Sequence, residues 1–187
     1  MSLDKDSLYN FILNILDFPP DTVEDAAADW AQGIVEFAAN AEFIGTSPGI
    51  SPASGLADPS PVGSKFKINP GLVQAGQAIL EPALLNGFKL EDPLFIGLQL
   101  GIASFIPTLT IWTAGLYTAV VVPTPVAFIT PGYFSPVIVA GLGGAKNEDI
   151  ATMLSSLIHV GFMASLLNGA ATNPVGLVAP VVASPII

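Results

Sequence analysis

The sequence predicts a mainly α fold: a helical hairpin, then further apolar helices joined by Pro-rich extended segments, with a few short β-strands. Three observations lead there. Apolar residues recur at helical spacing through the first forty positions. Of the 187 residues, 51% are hydrophobic and only 11% charged. Seventeen prolines and eighteen glycines cut that apolar material into short pieces. A chain of this length and hydrophobicity makes one domain with a real core, and it is too apolar to stay disordered. The layout is a single structural domain over 1–187. It consists of an N-terminal helical hairpin (3–42), a Pro/Ser/Gly connector (45–63) and apolar helices with extended arms (64–187).

The elements follow in order. Leu8, Phe11, Ile12 and Ile15 place a short helix over 3–16, stopped by Pro19-Pro20. Thr22 with Asp25 three residues on resembles a capping box carrying Asp in place of Glu. It opens a second helix with a narrow seam of Val23, Ala27, Trp30, Ile34, Phe37 and Ala41. Gly45 to Gly63 has the composition of a flexible linker. A third helix starts at Pro70, is kinked or divided at Pro82, and ends at Asn86-Gly87. A fourth opens after Glu91-Asp92-Pro93, with Leu94, Phe95, Leu98, Ile102 and Phe105 on one side, and closes before Pro107. Thr108 to Val122 is rich in β-branched and aromatic residues and suits strand or helix. Asn147-Glu148-Asp149 caps the last helix, which runs to Asn168-Gly169 with Ile150, Met153, Leu154, Leu157 and Ile158 on its face.

Within Thr118–Gly141, Pro123, Pro125, Pro131 and Pro136 preclude the helix that the hydrophobicity suggests, so this stretch and 172–187 are read as extended apolar arms. An apolar helix followed by a Pro-punctuated piece recurs at 45–61, 121–136 and 172–185, a weak internal repeat of pattern.

Charge narrows the function. Five lysines, no arginine and fifteen acids give a net charge of −10, which excludes a phosphate-binding face and hence nucleic acid as a partner. Nine of the acids precede Phe43, whereas Pro93 to Ala145 holds no charged residue at all. So long an uncharged stretch is hard to hide inside one small domain. The chain has no cysteine, so disulfides, thiolate metal sites and a thiol nucleophile are all ruled out.

No motif carries chemistry. Gly45-Thr46-Ser47-Pro48-Gly49 matches a nucleophile elbow literally. That motif needs a strand before the serine and a helix after it, whereas here a helix precedes and Pro48 follows, the pattern of a turn. His159 is the only imidazole and lies off the apolar stripe of its helix, without the partners a triad or a metal site needs. Asp21, Glu24, Asp25 and Asp29 sit where carboxylates complement a helix dipole, and the calcium-loop signature is missing. Gly141 to Lys146 lacks the spacing of a phosphate loop. No catalytic residue, cofactor or metal is expected, and the chain reads as no enzyme.

The run FILNILDFPPDTVEDAAADWAQGIVEFAANAE, residues 11–42, resembles a pattern in structural proteins of tailed bacteriophages. The matching features are a short helix, Pro19-Pro20-Asp21-Thr22, and an Ala-rich helix with Trp30-Ala31 and Phe37-Ala38. Leu94–Pro131 and Asp149–Pro185 follow the same layout of Ala-rich helices and Pro-rich extended pieces. Residues 94–140 depart from it in their heavy Val, Ile and Phe content. The resemblance implies a virion component of the tail, baseplate or neck, assembled in the host cytoplasm, with other virion proteins and copies of itself as partners. The interface anchors expected on that reading are Trp112, Tyr117, Val121, Phe128, Tyr133, Phe134, Val178 and Val182. The alternative is a small integral membrane protein with a Pro-kinked span over 93–122. The four prolines of 118–141 weigh against lipid, where an extended strand must be fully paired in a closed barrel.

Overall fold

The computed structural model describes residues 3–45, 48–50, 57–59, 64–89, 95–114, 117–167 and 170–172. The fold is mainly α, with short strands gathered at one end, as the sequence predicts.

Helix α1 (Lys5–Asp17) starts where the Asp4 carboxylate accepts from the Asp6 and Ser7 N–H groups, each at 3.1 Å, so two orphan donors are satisfied. Leu8, Ile12 and Ile15 are its buried face. Helix α2 (Val23–Ala39) starts at Thr22, whose hydroxyl accepts from Asp25 N–H at 3.0 Å. The reciprocal half of a capping box is changed: Asp25 is too short to reach back to the Thr22 backbone, and its carboxylate instead accepts the Thr22 hydroxyl proton at 2.6 Å. The expected seam is buried from Ala27 through Trp30, Ile34 and Phe37 to Ala41, while Val23 lies exposed.

Helix α3 (Pro70–Lys89) passes through Pro82 without dividing and ends two residues beyond Gly87. Helix α4 (Phe95–Phe105) runs antiparallel to it and closes in a 3-10 turn, Ile106–Thr108. Gly87 and Gly97 set their spacing. A Cβ on Gly87 would fall 2.4 Å from the Gly97 Cα, so the two backbones touch where they cross.

Strands β5 (Ile111–Ala114) and β6 (Tyr117–Val122) pair antiparallel, with Ala114 opposite Tyr117. The span proposed over 93–122 is therefore not one helix but a helix, a 3-10 turn and two strands. The 118–141 arm is also corrected. After β6 come turns over 126–134 and then helix α5 (Ser135–Leu142), with Pro136 in its first turn, where a missing N–H costs nothing. The prolines punctuate this stretch without making it extended throughout. Helix α6 (Asn147–Leu167) precedes the last described strand, β7 (Ala170–Thr172).

The helices pack as an antiparallel ring. α1 touches both α6 and α2, α2 touches α3, and α3 touches α4. The Lys89–Glu24 ion pair, 2.9 Å, brings the α3 C-terminus to the α2 N-terminus. Asn147 Nδ2 donates to Leu16 O and to Asp17 Oδ1, tying the start of α6 to the end of α1. The segment 126–134 closes the ring between α4 and α6. Phe37, Phe105, Phe128 and Phe162 meet at its centre, each ring within 6.4 Å of the Phe162 ring.

Beneath the ring lies an antiparallel sheet in the order β1-β4-β5-β6-β7, where β1 is Glu42–Gly45 and β4 is Ser64–Ile68. Phe66, Ile68 and Trp112 point into the core, and the alternate positions Lys65 and Lys67 face out. Lys67 meets Glu42 at 2.8 Å across the β1–β4 ladder, and its ammonium is foremost in holding the Glu42 carboxyl down to about 2. The connector over 45–63 is not wholly a linker either, because β2 (Pro48–Ile50) pairs antiparallel with β3 (Ala57–Pro59).

Candidate interaction surface

The aromatic residues expected to anchor an interface are used inside the chain. Trp112 is 2% exposed and donates its indole N–H to Leu109 O at 2.9 Å. Phe134 and Phe128 are buried. The Phe128 ring stacks edge-on against Tyr133 and Phe162 and presses on Gly161, where an added Cβ would come within 2.5 Å of it. Tyr133 is half-buried and donates its hydroxyl to Leu157 O at 2.9 Å, and burial pushes its phenol above the usual range. These four residues fill the chain's own core, which corrects their assignment as anchors. A large apolar ring satisfies a core and an interface equally well, and sequence does not say whose surface it meets. Tyr117 and Val121 belong to β6, whose backbone is paired with β5 on one side and β7 on the other. Val178 and Val182 lie outside the described residues, as does Ser47.

What reaches the surface is a different set. On α4 the buried side is Leu98, Ile102 and Phe105, as the spacing predicts, and this turns Ile96 and Leu100 outward. Between them on the same side of the helix, Gln99 Nε2 donates to Phe128 O at 2.9 Å and to Thr130 O at 2.8 Å. One side-chain amide thus clips both carbonyls that flank Ile129 and fixes that residue, 61% exposed, beside Ile96 and Leu100. Further along the uncharged region, Val139 and Leu142 on α5 are 68% and 86% exposed. The signal for Ile96 and Leu100 was available: they are the apolar residues left over once the core side of the helix is assigned. Ile129 and the role of Gln99 carried no local pattern.

Among the described residues, the remaining polar groups are engaged in local contacts. A notch of about 180 Å³ between α1 and α2 is lined by Asp4, Ser7, Leu8, Phe11, Gly33, Glu36, Phe37 and Asn40. Its Asp4 carboxylate is occupied in capping α1, and Glu36 accepts from Gln32 at 2.8 Å. His159 sits edge-on to Phe37, and burial, followed by the nearby Lys5 charge, holds its pKa below the usual imidazole range. Among the described residues no three His, Asp or Glu side chains converge as a metal site would require. No protein family, curated protein or solved structure gives a match to this chain.

Proposed function

We propose that the chain is a non-enzymatic structural subunit of a tailed-bacteriophage virion, of the tail, baseplate or neck, which packs against other virion proteins and copies of itself. The observation that carries the assembly reading is the apolar surface of the charge-free region 93–145. Ile96 and Leu100 are exposed on one side of α4, Ile129 is exposed between the two carbonyls held by Gln99 of that side, and Val139 and Leu142 are exposed on α5. A subunit with a net charge of −10 repels its copies at most points, and a charge-free apolar face is where two can meet. The virion assignment rests on the resemblance over residues 11–42. Of the two expected arms, 118–141 is used within the chain, and 172–187 lies, beyond Thr172, outside the described residues.

One observation favours a second reading, a membrane protein. Asn147–Leu166 of α6 is long and apolar enough to cross a bilayer, with a mean hydropathy of 1.4, although 44% of it is buried in the fold. Expression of the full chain followed by fractionation separates the two. The assembly reading expects a soluble, self-associating or aggregating protein that is not extracted from membranes by detergent. Recovery in the membrane pellet, resistant to alkaline carbonate and released by detergent, overturns it.

A further inference from the structure

Three sectors of α4 are occupied within the chain. Gly97 and Gly101 turn toward α3, where Cβ atoms added to them would fall 2.8 Å from the Gly87 Cα and 2.9 Å from a Leu80 methyl. Leu98, Ile102 and Phe105 turn into the core. Gln99 turns toward the 128–130 segment and uses both N–H groups of its amide there. The remaining sector carries Ile96, Leu100 and Ser104, each one turn from the next and all exposed, so Leu100 is its midpoint. Helix α3 borders this sector on one side and turns Ala75, Ala78, Ile79 and Pro82 to solvent. The segment held by Gln99, with Ile129 exposed on it, borders the other. Single exposed apolar residues are ordinary on any protein. This sector differs in its support, because the α3 and α4 backbones touch and a two-pronged amide fixes the 128–130 segment. A rigid, uncharged side loses little freedom when it is covered.

The other exposed apolar residues of the described chain make poor complements to it. Phe18 follows Asp17 and is close to Asp21, and Val23 adjoins Glu24. Val139 and Leu142 lead into Lys146, Glu148 and Asp149, and Val160 is a single side chain on α6. Pressing Phe18 or Val23 of another copy onto α4 takes water from carboxylates and offers them no cation in return. The surface that returns large apolar side chains without any charge is the same surface. We infer that the Leu100 sector of α4 is covered by the same sector of a second copy, across a two-fold axis that passes beside Leu100. In such an isologous contact each residue meets its partner twice over, and only residues at the axis meet themselves. Two bodies of net charge −10 then join where neither carries charge. The pair is closed, so a longer array of this subunit needs a second kind of contact. The pairing rests on the assembly reading above and adds its partner and its symmetry.

The chain has no cysteine, so a single introduced one reports self-contact. The full chain carrying Leu100→Cys should form a disulfide-linked pair on mild oxidation at least tenfold faster than the chain carrying Asn14→Cys, which is exposed on α1, read on non-reducing gels at equal protein concentration. Equal rates overturn the pairing. A second readout avoids engineered bonds. In sedimentation velocity, Leu100→Asp and Leu100→Lys should each be monomeric alone and should pair when mixed in equal amounts, because the two-fold sets opposite charges against each other. A mixture that stays monomeric while the parent associates puts a different surface of the second copy on α4, which overturns the pairing and leaves the assembly reading standing. A parent that is monomeric at every concentration overturns both.

Discussion

Phe128 and Ile129 are neighbours in sequence with opposite fates, and substituting each by alanine separates a core role from a surface role. Phe128 is 0% exposed, enclosed by Tyr133, Phe134, Phe162 and Gly161. Phe128→Ala removes roughly 100 Å² of buried apolar area, worth about 2.5 kcal/mol at ~25 cal/mol per Å². A residual cavity of roughly 80 Å³ at ~24 cal/mol per Å³ adds about 2 kcal/mol. The sum, about 4.5 kcal/mol, falls within the range of about 3–5 kcal/mol for buried Phe→Ala changes and is a large share of a total stability of about 5–15 kcal/mol. Ile129→Ala removes a side chain already mostly in water and should change stability by less than about 0.5 kcal/mol. Urea unfolding followed by the fluorescence of Trp30 and Trp112, both buried, measures the two variants on one scale. A Phe128→Ala variant as stable as the parent, with its effect confined to self-association, would refute the assignment of this ring to the chain's own core.

Other expectations follow from particular contacts. Gly87→Val drives a branched side chain into the Gly97 backbone and should cost at least about 2 kcal/mol by the same unfolding assay, because α3 and α4 must separate. Thr22→Ala removes the α2 cap and should cost about 1 kcal/mol. His159 has a folded pKa below its unfolded value, so the unfolded chain binds more protons as pH falls past about 6.5. Stability should therefore decline as pH falls through that value, and His159→Phe should flatten that slope. Glu42 is held down to about 2, so its contribution is present above the unfolded value of 4.5 and is lost as pH falls from there toward 2. Lys67→Met should weaken the acid dependence in that window.

The legible parts of the fold were those determined by neighbours along the chain. The cap at Thr22, the seam of α2 and the buried side of α4 all follow from spacings of three and four residues. The sheet was not legible, because its strands are three to six residues long and their partners are remote: Val120 pairs with Thr172, and Glu42 with Lys67 across the connector. Pro136 misled for a physical reason. Proline excludes a helix interior but is welcome in a first turn, and pattern alone does not separate the two in a stretch as Pro-dense as 118–141. The apolar surface was visible only as a surplus. The uncharged region 93–145 holds more hydrophobic residues than one side of each element can bury, but which of them emerge depended on Gln99 binding two carbonyls some thirty residues away.

The most direct test of the central claim, that this charge-free apolar surface is where subunits meet, is sedimentation velocity of the full chain beside Leu100→Asp and Ile129→Asp variants over a range of concentrations. The account predicts concentration-dependent association of the parent at physiological salt. It also predicts monomeric variants with unchanged far-UV circular dichroism, because both side chains are exposed and an added charge on each copy repels the other. A parent that stays monomeric at every concentration, or variants that associate as strongly as the parent, would contradict it.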